Sequence, residues 1–307
     1  MNIVEHIKEH SVLGVPNLKS VGSASFVSDT FPAVLAATNS PHTVGFWPMN
    51  IGAYVCFRDT SGNRNHAWRF QINSAPNTVW TLTSGALKNT AGGPGLRVSS
   101  GPTDQKFDIG APNASFIAAW QTRIDAVVGG KDQTVFAKGS NNAGAPAGAS
   151  GILVGMIDNG AGVPRMRVAV SNSSKYSANF PSFTNGTTYH VAVVRDALGA
   201  MGAAGLIYVY INGVRDTAFN SGAGSLAYAP TASYYNANLV IGDYGNAVNG
   251  NDAGPSGSND YALLNLYMAV FSGTALPGDG VTPAAMDAVI AYMAANPTTP
   301  PPSSILS

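Results

Sequence analysis

The stretch from Tyr189 to Asp216, YHVAVVRDALGAMGAAGLIYVYINGVRD, does most to restrict what this chain can fold into. Two apolar runs, Tyr189 to Val194 and Leu206 to Ile211, are rich in β-branched and aromatic residues, and the segment between them is mostly Gly, Ala and Asp. This composition predicts two strands and a long connection. In the second run Ile207, Val209 and Ile211 point to one face and Leu206, Tyr208 and Tyr210 to the other, because successive strand residues alternate. Both faces are apolar or aromatic, so the pair belongs inside a sheet covered on both sides. Asn212-Gly213 supplies the positive backbone angles of a tight hairpin turn.

The rest of the chain repeats this pattern. Strand-like runs occur at Val44 to Phe57, from Ala67, at Ala114 to Ala126 (with Phe116, Ala118 and Trp120 on one face), at Thr134 to Lys138, Gly151 to Ile157, Arg165 to Val170, Leu239 to Gly242 and Tyr261 to Phe271. Between them lie turn-rich segments, in keeping with 35 Gly and 19 Pro. One helix stands out. Pro283 occupies its first position after a Thr282 cap, Met286, Val289, Ile290 and Met293 form one stripe, and Pro297 ends it. A second, short helix is expected at residues 2–11, capped by Asn2, with Ile3 and Ile7 one turn apart and an apolar edge that includes Val4 and must dock on something.

Charge excludes several functions. Lys plus Arg and Asp plus Glu are 16 each, and charged residues are 10% of the chain, so a basic nucleic-acid surface is not expected. Cys56 is alone, which rules out an internal disulfide or a cysteine zinc cluster. The N-terminus lacks an apolar signal core and no apolar run reaches 18 residues, so the expectation is a chain made in the cytoplasm without a membrane span.

Taken in order, these segments resemble the concanavalin A-like lectin and laminin-G-like jelly-roll superfamily. The resemblance rests on Phe46-Trp47 before a DxSGN loop (Asp59, Ser61, Gly62, Asn63), the FxxAW strand at Phe116 to Trp120, and TVFAKG at Thr134 to Gly139. It continues through YHVAVVRD at Tyr189 to Asp196, IYVYINGV at Ile207 to Val214, VIGD at Val240 to Asp243, and AVFSGTALP at Ala269 to Pro277. It implies an all-β fold: a two-sheet antiparallel jelly-roll sandwich, concanavalin A-like, with a short N-terminal arm and one C-terminal helix. The expected organisation is an arm at 1–42, a lectin-like domain at 43–296 and an extended Pro-rich tail at 297–307.

The architecture carries lectins, glycosidases and structural modules alike, so function must come from the residues. Glycosidases of the superfamily resemble one another in a Glu-x-Asp-x-x-Glu strand that sets two carboxyl groups about 5 Å apart. Here the only glutamates are Glu5 and Glu9. The expectation is therefore a protein that is not an enzyme, with glycoside hydrolase as a remote alternative. His190, mid-strand among apolar neighbours, reads as a structural histidine, and His66 has no nucleophile beside it.

Oxygen-bearing side chains at Asp59, Ser61 and Asn63, and the acidic region of Asp243, Asn251, Asp252 and Asp260, are candidate ligands for Ca²⁺. The competing reading is turn chemistry, since DxSGN is an efficient turn by itself. Trp80, Tyr234, Tyr235 and Tyr244 lie in polar surroundings and are the candidate carbohydrate-stacking residues, whereas Trp47 and Trp120 sit on strands and read as core.

Two functions remain. One is a non-catalytic structural or interaction protein of a phage particle, a capsid decoration, head fibre or tail-associated protein. It would attach to other virion proteins through the arm, with Ile3, Val4 and Ile7 as its apolar edge, and it would form a homo-oligomer, as accessory virion proteins do. The other is a carbohydrate-binding adhesin module that recognises cell-surface glycans.

Overall fold

The computed structural model describes residues 40–49, 52–53, 56–63, 65–69, 80–83, 86–89, 96–98, 113–124, 132–138, 152–158, 164–170, 173–176, 184, 186–217, 219, 239–242, 261–274, 276–277 and 283–306. Seven strands occupy the first third: β1 (Thr43–Pro48), β2 (Gly52–Ala53), β3 (Cys56–Phe57), β4 (Ala67–Arg69), β5 (Trp80–Thr83), β6 (Ala86–Asn89) and β7 (Leu96–Val98). The middle holds β8 (Ala114–Ile124), β9 (Asp132–Lys138), β10 (Ile152–Asp158), β11 (Pro164–Val170) and β12 (Ser173–Tyr176). The hairpin pair β13 (Thr188–Asp196) and β14 (Leu206–Ile211) follows, then β15 (Val214–Arg215), β16 (Leu239–Ile241) and β17 (Tyr261–Ser272). Helix α1 (Pro283–Ala295) and a single turn α2 (Ser303–Leu306) close the chain.

These strands form two antiparallel sheets. Among the described residues the first has eight strands in the order β15-β14-β13-β8-β17-β6-β5, with β1 also paired to β17. The second has nine, in the order β12-β11-β10-β9-β16-β7-β4-β3-β2. Neighbours in space are distant in sequence, as β17 lying between β8 and β6 shows. The fold is an all-β, two-sheet antiparallel sandwich.

Alternation along each strand builds two apolar layers. The inner layer lies between the sheets and takes Phe116, Trp120, Val191, Val193, Ile207 and Val209 from the first sheet and Leu96, Phe136, Val154, Val168 and Ile241 from the second, all fully buried. Across this layer Trp120 meets Phe136 edge to face, with centroids 6.2 Å apart and planes at 83°. The outer layer lies on the far side of the eight-stranded sheet. There Phe46, Ile117, Val194, Tyr208, Tyr210 and Tyr267 pack against Met286, Val289, Ile290 and Met293 of α1 and Leu306 of α2. The stripe expected of this helix is its buried face, and each side chain so covered contributes about 1.5–3 kcal/mol.

Both faces of β13 and β14 are therefore covered, as the two apolar runs require. The hairpin turn is left-handed at both central residues, with φ of 50° at Asn212 and 81° at Gly213. Gly213 is required for a second reason: a Cβ there would stand 3.1 Å from Cα of Ala291, so the missing side chain lets α1 approach the turn.

Beyond α1 the structure differs from the extended tail expected over 297–307. Pro301 is buried and Leu306 is 1% exposed. Asn265 Nδ2, buried in β17, donates to the Pro297 carbonyl at 2.9 Å. The tail folds back onto a mostly apolar sheet face, where Leu306 joins the buried layer and the Asn265 amide meets the backbone. The arm expected at 1–42 is described only from Ser40, which is buried, so Ile3, Val4 and Ile7 lie outside the described residues.

Candidate functional site

The loop that joins β3 to β4 carries the DxSGN sequence and is bonded to β1 throughout. Asp59, 3% exposed, uses both carboxylate oxygens. Oδ1 accepts from the amides of Phe46 at 2.9 Å and Ser61 at 2.8 Å, and Oδ2 accepts from Asn65 N at 2.9 Å. The Asp59 amide donates in turn to Nδ1 of His66 at 3.1 Å. Asn63 Nδ2 donates to the Thr43 carbonyl at 2.6 Å and Asn65 Nδ2 to the Val44 carbonyl at 2.7 Å. The indole of the fully buried Trp47 donates to the Asn65 carbonyl at 2.6 Å. Gly45 is part of the same fit, since a Cβ there would overlap the Trp47 ring.

This arrangement is that of the turn reading rather than of a Ca²⁺ site. Asp59 is spent on three backbone donors, and Asn63 turns its nitrogen, a donor, toward β1. A cation would have to displace those amides. Among the described residues no group of three His, Cys, Asp or Glu side chains is positioned to hold a metal.

Two further carboxylates act in the same way. Asp196 ends β13 and is fully buried, with Oδ1 accepting from Gly199 N at 2.9 Å and Oδ2 from Met201 N at 2.5 Å. These bonds wind the 197–205 connection back onto the strand it leaves. Asp216, 6% exposed, accepts from Phe219 N at 3.3 Å just beyond β15. Beside Asp196, the buried Arg195 donates to the Ala114 carbonyl at 2.6 Å and fastens β13 to the start of β8.

A polar row crosses the otherwise apolar outer face. His190 on β13 stands opposite Gln121 on β8, which stands opposite Asn265 on β17. A register shift in β17 between Leu263 and Asn265 keeps Leu263 and Leu266 inward and turns Asn265 outward. Asn265 Nδ2 donates to Gln121 Oε1 at 2.9 Å, and Asn265 Oδ1 accepts from Gln121 N at 3.1 Å. The His190 carbonyl accepts from Asn212 N at 2.7 Å, and the Asn212 side-chain oxygen accepts from His190 N at 2.9 Å. Nδ1 of His190 is buried without a partner, and burial pushes the ring down to about 4. Nothing in the strand pattern flagged this row, yet Gln121 and Asn265 are the polar interruptions in ASFIAAWQTRI and YALLNLYMAVF.

A second polar cluster ties α1 to β14 and β15. Arg215 Nε lies 3.4 Å from Asp287 Oδ1. Burial, then the nearby Asp287 carboxylate, raises the Tyr210 phenol. At the opposite edge of the helix-covered face, Tyr267 bonds Thr43 across 2.9 Å and is raised by burial, while His42 stacks on Phe271 with centroids 4.5 Å apart.

The expected carbohydrate-stacking residues fare differently. Trp80 opens β5, the edge strand of the eight-stranded sheet, in register with Asn89. Tyr234, Tyr235 and Tyr244 lie outside the described residues, as do Asp243, Asp252 and Asp260.

No protein-family model matches the chain, and no curated protein gives a match. Solved structures do. Trypanosoma rangeli sialidase in complex with 2,3-difluoro-KDN is similar with a TM-score of 0.51 at 14% identity, over 84% of this chain and 33% of that one. The same sialidase in complex with 2,3-difluorosialic acid gives a TM-score of 0.50 at 14% identity over the same shares. Domain 4 of the Geobacillus stearothermophilus arabinanase AbnA, in complex with arabinotriose, gives 0.43 at 17% identity over 75% of this chain and 94% of that one. The chain thus spans about a third of the sialidase, and at these identities the likeness is one of fold.

Proposed function

We propose that this chain is a non-catalytic, lectin-like binding module whose ligand is carbohydrate, carried as a structural or tail-associated component of a phage particle. The observation that carries the non-catalytic part is the use made of Asp59, Asp196 and Asp216: each is buried and holds backbone amides of its own loop. Carboxylates engaged in this way serve the scaffold, and hydrolysis of a glycosidic bond needs two that face a substrate. No glutamate follows Glu9 to supply an alternative pair.

The sugar reading draws on the sandwich fold and on the sialidase to which it is similar, whose structures hold sialic acid derivatives. Since α1 and α2 occupy the outer face of the eight-stranded sheet, contact with a glycan falls to the loops and to the nine-stranded sheet. A glycan array tests it, run on the wild type and on the double variant Tyr234→Ala, Tyr235→Ala. Binding by the wild type that the variant loses is expected, and silence from the wild type removes the sugar reading.

The particle reading rests on the low charge, the apolar edge of residues 2–11 and the repeated use of this architecture without catalysis. Here the measurement is the protein content of purified particles. A fixed copy number supports it, absence from the particle overturns it, and a chain lacking residues 1–42 is expected to fold but not attach.

A further inference from the structure

His190 is 6% exposed, and its strand β13 and the 212–213 turn bonded to it both carry α1. It lies on the face that α1 seals, in the row with Gln121 and Asn265 that receives the chain at Pro297. Its Nδ1 meets no hydrogen-bond partner. We propose that His190 makes the seal of α1 over the eight-stranded sheet acid-labile, so that protonation releases the helix before the sandwich unfolds.

The surroundings offer the imidazolium little compensation. Gln121 on β8, Asn212 in the turn and Asn265 on β17 are neutral, and the titratable groups next along the same face are Arg123 of β8, itself a cation, and the Tyr210 phenol of β14, raised by burial. On α1 the titratable side chains are Asp287 and Tyr292, and Asp287 is engaged by Arg215 of β15 at 3.4 Å. Near the end of α1 the Tyr292 and Met293 carbonyls are taken as well, since Asn296 donates to the Tyr292 carbonyl through both its amide and its side chain and also to the Met293 carbonyl. A charge formed there is therefore uncompensated unless water reaches it.

Undocking α1 is the lesser way to admit that water. β13 is held on both sides, by a ladder to β8 and a ladder to β14, while α1 is attached through side chains and the Arg215–Asp287 contact. Local opening of a docked helix is a lower-energy event than loss of a central strand.

The sign follows from the fold holding the ring neutral. Once exposed, the ring returns to its ordinary value near 6.5, against about 4 when sealed. The open state takes up a proton as pH falls through that window, so opening is favoured progressively from pH 6.5 down to about 4 and gains nothing below it. A separation of about 2.5 pH units raises the open population on the order of 300-fold.

Hydrogen exchange of the full chain at pH 7, 5 and 4, corrected for intrinsic rates, tests this. Amides of α1 are expected to exchange on the order of 100-fold faster at pH 4 than at pH 7, while those of β8 and β17 keep their protection. In His190→Gln the acceleration is expected to vanish. The same acceleration in the variant, or simultaneous loss of protection in β8 and β17, overturns the proposal. Should His190→Gln not fold, the ring resonance of His190 in the wild type decides: titration near pH 4 with α1 exchange accelerating between pH 6.5 and 4 supports it, and titration near 6.5, or near 4 with α1 exchange unchanged, overturns it.

Discussion

Removing the Asp59 carboxylate is the most direct way to ask what the 59–66 loop is for. Asp59→Ala strands three amides at once: those of Phe46 and Ser61 in buried surroundings and that of Asn65 where water has some access. An unsatisfied buried donor costs about 1–3 kcal/mol, and the partly wet one less, so the loss is about 3–5 kcal/mol. Asp59→Asn keeps one acceptor oxygen, which can serve Phe46 and Ser61 through Oδ1, but turns an NH₂ group toward Asn65 N. It is expected to cost about 1–2 kcal/mol. Urea denaturation at pH 7 followed by tryptophan fluorescence separates the two. Thermal midpoints provide a second measure, with Asp59→Ala lower by on the order of 10 °C in a domain of this size. The same experiment addresses Ca²⁺. If the carboxylate clasps amides, millimolar Ca²⁺ leaves the wild-type midpoint unchanged. A Ca²⁺-dependent rise that Asp59→Asn abolishes, or an Asp59→Ala variant within 0.5 kcal/mol of wild type (about the scatter expected for a surface site), would refute the reasoning.

Three other substitutions follow from the packing. Gly45→Ala is expected to cost about 1–3 kcal/mol by driving the Trp47 indole from its place, and near-ultraviolet circular dichroism should report a changed tryptophan environment. Gly213→Ala is strained twice, by a φ of 81° and by the approach of Ala291, so the loss should exceed the ~1 kcal/mol of a left-handed position alone in equilibrium unfolding. Asn265→Ala leaves Gln121 and the Pro297 carbonyl without their partner and should cost about 1–3 kcal/mol, with exchange of the 297–306 segment rising first.

The sandwich was legible because its strands obey one rule. In β14, alternation assigned Ile207, Val209 and Ile211 to one face and Tyr208 and Tyr210 to the other, and the structure puts the first set between the sheets and the second under α1. Asn212-Gly213 needed only its backbone preferences to be recognised as the turn. The polar groups were harder. Asp59 reads as a candidate cation ligand because sequence shows which oxygens are near one another but not which amides point at them. His190 reads from sequence as a structural histidine, yet its Nδ1 is unpartnered, a fact that depends on β8, β14 and α1 converging from three parts of the chain. The tail at 297–307 reads as extended because its prolines forbid a long helix. Its docking depends on the distant Asn265 amide and on Leu306, neither of which a local pattern connects to it.

The pairing of β1 with β17 has a consequence for how the molecule is made. The bond between Thr43 and Tyr267 joins residues 224 apart in sequence, and the loop clasped by Asp59 is built onto β1. A ribosome delivers β1 some two hundred residues before its partner, so Val44, Phe46 and Trp47 must wait, unpaired, through that synthesis. Closing so long a loop is slow, and an apolar strand left waiting invites association with other nascent chains. Expression level and temperature should therefore govern the yield of folded protein more than its final stability does.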